Sequence, residues 1–307
     1  MFDYDAIIVG GGPAGLAAGL YLGRANMRTL LLEGNSFGGS IKNIEWIENY
    51  PGFPEGVSGA ELGSKMVDQA CKYGLKIEQD EVSGLEIFSS CRVVTCTSGK
   101  SYTTVAIIIA GGSTPKKLGV PGEDKLLGRG VFTCALCDGG EFADRVVAVC
   151  GGGDSGITEA LYMTKLASKV FVIEVMPSLG ASAIMQDRAK ENPKLEIRCG
   201  TRVEAISGEK KVEALELVEV ESNKKETLKV DGVLVHIGID PNTDYLKDII
   251  PLDDQGQIIV NQAMETEVPY ILAAGDIRSG SPRQVSAAVG DGVIAAIRAQ
   301  RLIQEAE

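Results

Sequence analysis

The most constraining feature of this 307-residue sequence is an internal repeat of two glycine-rich segments. The first reads Gly10-Gly-Gly-Pro-Ala-Gly15 and the second reads Gly151-Gly-Gly-Asp-Ser-Gly156. An acidic residue follows each segment, Glu33 in the first case and Glu174 in the second. The offsets 151 − 10, 156 − 15 and 174 − 33 all equal 141. Three equal offsets indicate a duplicated structural unit.

Each glycine segment lies between two apolar runs and opens a helix-like stretch. The runs at 5–9, 29–33, 146–150 and 170–174 predict buried parallel strands, and 195–199, 212–221 and 228–235 are further β-like stretches. Strand, glycine turn, helix and strand in this order form the βαβ dinucleotide fingerprint. We therefore predict an α/β fold of two Rossmann-like three-layer dinucleotide-binding domains.

The glycines of such a fingerprint have distinct roles. The first allows a tight turn, the second lets the backbone approach a pyrophosphate, and the third lets the helix pack against the strand. The helix N-terminus offers free N–H groups to phosphate, and the later carboxylate can accept a hydrogen bond from a ribose 2′-OH. The candidate residues are Gly10, Gly12, Pro13, Ala14, Gly15 and Glu33 in the first unit, and Gly151, Gly153, Ser155, Gly156 and Glu174 in the second.

Two turn-rich joints divide the chain. They lie at 110–115 and 237–243. We predict that residues 1–113 and 242–307 form one split domain and that residues 114–241 form a second domain inserted into it.

A CxxC pair, Cys134 and Cys137, precedes the second fingerprint. Its two-residue gap lets both sulfurs meet in a reversible disulfide. The alternative is half of a structural zinc site, which needs four ligands. The other close cysteine pair, Cys91 and Cys96, has the wrong spacing, and the single histidine, His236, lies far away in sequence. The pattern favours redox chemistry and no metal.

Composition excludes several classes of function. A net charge of −12 is unsuited to nucleic-acid binding. One histidine cannot build a multi-histidine metal site. No apolar run reaches the ~18 residues of a membrane span, and the acidic N-terminal segment is not typical of a signal peptide. The odd number of cysteines, seven, indicates reduced thiols and hence a cytoplasmic protein.

Two further segments near the C-terminus are candidate ligand contacts. A buried-strand pattern ends at Gly275-Asp276, and Arg283-Gln284-Val285 opens an alanine-rich helix. Asp276 could bind a hydroxyl-rich ligand, or it could be an ordinary turn aspartate.

In their order along the whole chain, these motifs resemble the low-molecular-weight thioredoxin reductase family. Gly10–Gly15 matches the FAD pyrophosphate loop of that family, and Asn49 within Glu48–Gly52 matches its flavin-contacting turn. Cys134–Asp138 resembles the redox CATCD, with leucine in place of threonine. The segment 237–243 matches the joint at which the chain of that family returns to its split FAD domain. Gly275, Asp276, Arg283, Gln284 and Val285 match the second FAD segment.

The resemblance implies a flavoprotein disulfide reductase with FAD as cofactor. It implies that Cys137 lies next to the flavin, that Cys134 attacks the partner disulfide, and that Asp138 moves the proton of the dithiol. The implied partner is thioredoxin or a similar small dithiol protein. The resemblance also implies a homodimer in which the smaller domain rotates.

The resemblance fails where NADPH-using members carry a cationic clamp, His-Arg-Arg and a later arginine. The matching residues here are Glu174, Val175, Met176 and Gly180. A carboxylate ~4 Å from a 2′-phosphate costs on the order of 1–4 kcal/mol. NADPH is therefore disfavoured. The remaining donors are NADH and reduced ferredoxin, the latter as in ferredoxin-dependent flavin thioredoxin reductases, where the second nucleotide site would be vestigial. Replacement of the whole clamp favours ferredoxin.

Two other functions fit the same motifs. One is an FAD-dependent dithiol oxidase that passes electrons to O₂. The other is a flavin-binding redox sensor without turnover.

Overall fold

The computed structural model describes residues 2–44 and 46–306, apart from the side chains of Cys137 and Ile239. The strands are β1 (Tyr4–Val9), β2 (Thr29–Glu33), β3 (Lys76–Gln79), β4 (Val82–Ile87), β5 (Arg92–Cys96), β6 (Ser101–Ile109), β7 (Ser113–Pro115), β8 (Val131–Phe132), β9 (Val146–Cys150), β10 (Lys169–Ile173), β11 (Leu195–Arg198), β12 (Thr201–Ser207), β13 (Ala214–Glu219), β14 (Lys225–Lys229), β15 (Gly232–Val235), β16 (Ile239–Pro241) and β17 (Ile271–Ala273).

The α-helices are α1 (Pro13–Arg24), α2 (Gly59–Lys72), α3 (Glu123–Leu126), α4 (Ala135–Asp138), α5 (Asp154–Leu166), α6 (Ala183–Glu191) and α7 (Val285–Ala306). Short 3₁₀ turns cover Gly39–Asn43, Gly139–Phe142 and Asp244–Leu246.

The chain forms two compact units, residues 1–114 with 240–307, and residues 115–239. The sheet of the first unit has the order β3-β2-β1-β6-β5-β4, and β17 also pairs with β6. The pairs among β3, β2, β1, β6 and β17 are parallel, whereas β5 and β4 are antiparallel additions. Ala6, Ile7 and Ile8 are fully buried in the central strand. Such continuous burial is typical of a parallel strand covered on both faces.

The second unit has three layers. Its parallel sheet has the order β11-β10-β9-β15-β8. Apolar residues of α5 and α6 pack on one face of this sheet. The antiparallel sheet β12-β13-β14 supplies apolar residues to the other face. The predicted α/β fold with two Rossmann-like domains is therefore confirmed.

The four strands expected from the repeat are present as β1, β2, β9 and β10. The β-like stretch 228–235 is not one strand, however, because β14 and β15 belong to different sheets. The chain turns at Asp231, whose carboxylate accepts a hydrogen bond from Val146 N at 3.1 Å. The next residue, Gly232, leaves room for the Phe142 ring, whose Cε1 would lie 2.5 Å from an added Cβ.

Candidate dinucleotide and disulfide sites

The first glycine turn has the close contacts that its sequence predicts. Gly10 has a φ of +108°, and a Cβ there would lie 2.3 Å from the carbonyl oxygen of Ala110. A Cβ on Gly15 would lie 1.9 Å from the carbonyl oxygen of Gly10. Gly12 is the N-cap of α1, and an added Cβ there would meet only Gly39 Cα, at 3.9 Å. The turn therefore has a sterically required shape and an open side at Gly12.

The Glu33 carboxylate is fixed by the same turn. Its Oε2 accepts a hydrogen bond from Gly11 N at 2.6 Å, and its Oε1 accepts one from Asn35 N at 2.8 Å. Each carboxylate oxygen has two acceptor positions. Each oxygen therefore keeps one acceptor position that a ribose hydroxyl can use.

A buried ion pair supports the Gly275 turn, and it was not foreseen from the sequence. Asp291 of α7 is 5% exposed. Its carboxylate accepts hydrogen bonds from Arg278 Nε at 2.7 Å and Arg278 Nη2 at 2.9 Å. It also accepts one from Gly275 N at 3.1 Å. The one available signal was an acid inside an otherwise small and apolar stretch of helix.

Asp276 lies directly after this turn and is half-buried. Its Oδ1 accepts a hydrogen bond from Ser281 Oγ at 3.3 Å. Burial raises the pKa of the Asp276 carboxyl above its usual range, because desolvation disfavours the charged form. Asp276 is therefore poorly solvated for a carboxylate.

Two candidate residues that are distant in sequence meet in the first unit. Asn49 Nδ2 donates a hydrogen bond to Gln284 Oε1 at 3.0 Å. Both side chains are exposed, as is that of Arg283, whose φ is +56°. Val285 begins α7.

The second glycine turn repeats the geometry of the first. Gly151 has a φ of +124°, and a Cβ there would lie 2.1 Å from the carbonyl oxygen of His236. A Cβ on Gly156 would lie 2.2 Å from the carbonyl oxygen of Gly151. Gly153 is the N-cap of α5 and has nothing within 4 Å of an added Cβ. Ser155 is exposed in the first turn of that helix.

The Glu174 carboxylate is bound in the same way as that of Glu33. Its Oε2 accepts a hydrogen bond from Gly152 N at 2.6 Å, and its Oε1 accepts one from Met176 N at 2.9 Å. The segment after it is exposed at Val175 and Met176. Two apolar side chains, Val175 and Met176, therefore lie at the surface directly after this carboxylate.

The segment that follows Glu174 returns to the second turn. Ala181 N donates a hydrogen bond to Gly152 O at 3.0 Å. Ser182 donates from both N and Oγ to Asp154 Oδ1, each at 2.7 Å. The loop is therefore hydrogen-bonded to the turn at two points.

The CxxC pair lies at α4, with Cys134 directly before the helix and Cys137 within it. Cys134 precedes this helix and is disulfide-bonded. The Cys137 side chain lies outside the described residues, so its pairing and its role stay predictions. Asp138 is exposed, and its N donates a hydrogen bond to Cys134 O at 3.1 Å. Glu159 of α5, which the sequence did not single out, accepts a hydrogen bond from Ala135 N at 3.0 Å.

The five remaining cysteines, residues 71, 91, 96, 150 and 199, are free thiols. Burial raises the pKa of the Cys150 thiol to about 12 and that of Cys96 to about 11. These two thiols stay protonated at neutral pH and are inert as nucleophiles.

Within residues 2–44 and 46–306, no helix is long and apolar enough to span a bilayer.

Comparison with known proteins shows the family of this chain. The family model of the pyridine nucleotide-disulphide oxidoreductases matches residues 4–292. The thioredoxin reductase of Bacillus subtilis (strain 168) is 41% identical over 303 residues, which cover 98% of this chain and 95% of that protein.

Solved structures show the same relationship. The Lactococcus lactis thioredoxin reductase superposes with a TM-score of 0.97 at 36% identity, covering 99% of this chain and 100% of that one. A ferredoxin-flavin thioredoxin reductase from Clostridium acetobutylicum superposes with a TM-score of 0.54 at 28% identity, covering 98% of each chain. On this sequence identity, this coverage and this shared fold, the chain belongs to the low-molecular-weight thioredoxin reductase family of the pyridine nucleotide-disulphide oxidoreductases.

Proposed function

We propose that this protein is an FAD-dependent reductase of the disulfide in thioredoxin or a similar small dithiol protein, and that its electron donor is not NADPH. Its relatives are named thioredoxin reductases, which supports thioredoxin as the electron acceptor. The hydrogen bonds at the second glycine turn support the choice of donor. The homodimer and the cytoplasmic location implied by the resemblance stay predictions.

The first unit has residues that fit FAD. Gly10, Gly12 and Gly15 form a turn in which side chains are excluded at two positions and the third is open. That open position and the N-terminus of α1 suit a pyrophosphate, and Glu33 suits a ribose hydroxyl. The further residues that would hold FAD are Pro13, Ala14, Asn49, Gly275, Asp276, Arg283, Gln284 and Val285. When bound, FAD supplies a carrier of two electrons.

The observation that supports the donor proposal is the hydrogen bonding of the Glu174 carboxylate. Backbone N–H groups of Gly152 and Met176 bind its carboxylate, as Gly11 and Asn35 bind that of Glu33. A carboxylate held in this way accepts a hydrogen bond from a 2′-OH and repels a 2′-phosphate. This arrangement supports NADH over NADPH as the nucleotide at the second turn.

Reduced ferredoxin is the second candidate donor. Two observations support it: the whole clamp segment is replaced by exposed apolar residues, and the chain is similar to a ferredoxin-flavin thioredoxin reductase. The intact geometry of the second turn favours NADH between these two.

The CxxC pair transfers the electrons to the partner. In the reduced protein the Cys134 thiolate attacks one sulfur of the partner disulfide and forms a mixed disulfide, and the other partner sulfur leaves as a thiolate. The Cys137 thiolate then attacks Cys134 Sγ. This step restores the Cys134–Cys137 disulfide and releases the second partner sulfur. Asp138, exposed beside the pair, moves a proton between the dithiol and solvent.

The donor is tested by anaerobic mixing of the FAD-loaded protein with NADPH, NADH and reduced ferredoxin separately. We expect the flavin absorbance to bleach rapidly with NADH or with reduced ferredoxin. Rapid bleaching by NADPH would refute the argument from Glu174. Bleaching by ferredoxin alone would remove NADH.

The disulfide mechanism has a separate test. We expect Cys137→Ser to retain FAD and to lose steady-state thioredoxin reduction. Full activity of this variant with FAD bound would show that the CxxC pair is not used. The Cys199→Ser variant is the matched control, because Cys199 is a free thiol in the same unit.

A further inference from the structure

In the second unit, the candidate binding and redox residues lie at the carboxyl ends of neighbouring parallel strands. Glu174 follows β10, Gly151 follows β9 and His236 follows β15, and these three strands are neighbours in the sheet. The last strand, β8, pairs with β15 and leads to Cys134. In open α/β sheets, ligands bind outside these carboxyl ends, where the order of strands reverses. Here that point lies between β9 and β15.

This order sets the direction of a bound dinucleotide. Glu174 would hold the adenosine ribose at β10, and the glycine turn would hold the pyrophosphate at β9. The second nucleoside then extends to the opposite side, over β15. Adjacent strands lie ~4.8 Å apart, so the end of β15 is about one strand spacing beyond the pyrophosphate position.

His236 is the first residue at that end. Its N donates a hydrogen bond to Cys150 O at 2.8 Å, and its own carbonyl oxygen lies against Gly151. The first unit has Ala110 in the same place: Ala110 N donates to Val9 O at 2.7 Å, and the Ala110 carbonyl oxygen lies against Gly10. The second unit therefore has an imidazole where the first has only a methyl group.

The imidazole has an unused polar atom. Nδ1 of His236 is buried and has no hydrogen-bond partner within the described part of the chain. Such an atom costs about 1–3 kcal/mol relative to a paired one. Burial also lowers the pKa of His236, so the ring is neutral at pH 7 and can either donate or accept a hydrogen bond.

We propose that on dinucleotide binding the His236 ring turns out of its buried position and hydrogen-bonds the nicotinamide nucleoside, through a ribose hydroxyl or the carboxamide, while Glu174 and the second glycine turn hold the rest of the dinucleotide. This inference rests on the proposed function in its NADH form. It makes His236 a binding residue for the half of the donor that carries the transferable electrons.

The test is isothermal titration calorimetry of the FAD-loaded full-length protein with NAD⁺ and, separately, with ADP. NAD⁺ contains the nicotinamide nucleoside and ADP does not. We expect His236→Ala to weaken NAD⁺ binding about three- to tenfold, as for the loss of one hydrogen bond, and to leave ADP binding unchanged. His236→Asn keeps a polar group near Nδ1 and should recover part of the loss. His236→Ala should fold, because Ala110 occupies the equivalent position in the first unit.

Control variants separate the inference from the proposed function. Glu174→Gln should weaken NAD⁺ and ADP together, because both contain the adenosine ribose. Unchanged NAD⁺ affinity in His236→Ala would refute the role of His236 and leave the NADH proposal standing. Equal weakening of both ligands in His236→Ala would also refute it, because His236 would then only shape the turn. Failure of the unmutated protein to bind either ligand would refute the role of His236 and the NADH form of the proposed function, and reduced ferredoxin would be left as the donor.

Discussion

Replacement of Glu174 by glutamine is the sharpest perturbation of the donor site. The carboxylate accepts hydrogen bonds from Gly152 N at 2.6 Å and from Met176 N at 2.9 Å. An amide has one acceptor oxygen, so it can satisfy only one of these donors. Gly152 is buried and Met176 is exposed, so we expect the amide oxygen to turn toward Gly152 and water to serve Met176. The loss of stability should then be about 1 kcal/mol.

The effect on binding should be opposite for the two nucleotides. A hydrogen bond to a charged acceptor is worth about 1 kcal/mol more than one to a neutral acceptor, so Glu174→Gln should weaken NAD⁺ about fivefold. The same change removes a repulsion of ~1–4 kcal/mol between the carboxylate and a 2′-phosphate. Together these terms lower the ratio of the NADP⁺ dissociation constant to the NAD⁺ dissociation constant by at least about 30-fold.

Calorimetric titration with NAD⁺ and NADP⁺ at low ionic strength measures this ratio, and thermal unfolding measures the loss of stability. Glu221→Gln is the control, because it removes an exposed carboxylate from a turn of the same unit. A ratio that is equal in Glu174→Gln and in the unmutated protein would refute the reasoning, since Glu174 would then not face the 2′ position.

Four further predictions concern stability. Gly292→Ala should destabilise the protein by about 1–3 kcal/mol in thermal unfolding, because the added Cβ would lie 2.1 Å from Ala14 O. Gly290→Ala in the same helix meets nothing within 4 Å and should stabilise by about 0.5–1 kcal/mol. Asp276→Asn should raise the unfolding free energy of the FAD-free protein at pH 7 but not below about pH 4, because the raised pKa of Asp276 makes its ionised form the destabilised one. Tyr245→Phe should stabilise by about 1 kcal/mol without changing activity, because the buried Tyr245 hydroxyl has no hydrogen-bond partner in the described residues.

The repeat allowed much of the framework to be predicted from the sequence. Equal offsets of 141 placed Glu33 and Glu174 at equivalent positions, and the structure gives both carboxylates the same pair of backbone donors. This succeeds because strand length and turn sterics are local properties of a βαβ unit. An apolar run and a glycine pattern contain that information directly.

Contacts between distant segments could not be predicted in the same way. The Asn49–Gln284 hydrogen bond joins residues 235 apart, and the buried Arg278–Asp291 ion pair has no periodic signal in the sequence. The break at Asp231 was missed because an apolar stretch does not show which sheet each of its halves joins. Along the chain His236 is far from the CxxC segment, and only the pairing of β15 with β8 makes their ends neighbours.

The two copies of the unit agree in the sterics of their glycine turns and differ in the first residue of the helix that follows. The glycine turns exclude side chains at closely similar distances in both copies. The first helical residue, however, is Pro13 in one copy and Asp154 in the other. A carboxylate at a helix N-terminus opposes an approaching phosphate, and Ser182 binds only one of the Asp154 oxygens. The second turn is therefore the weaker anion site of the two. In the proposed function, that difference suits NADH at the second turn, because the donor must leave after each turnover, and FAD at the first turn, where the cofactor stays bound.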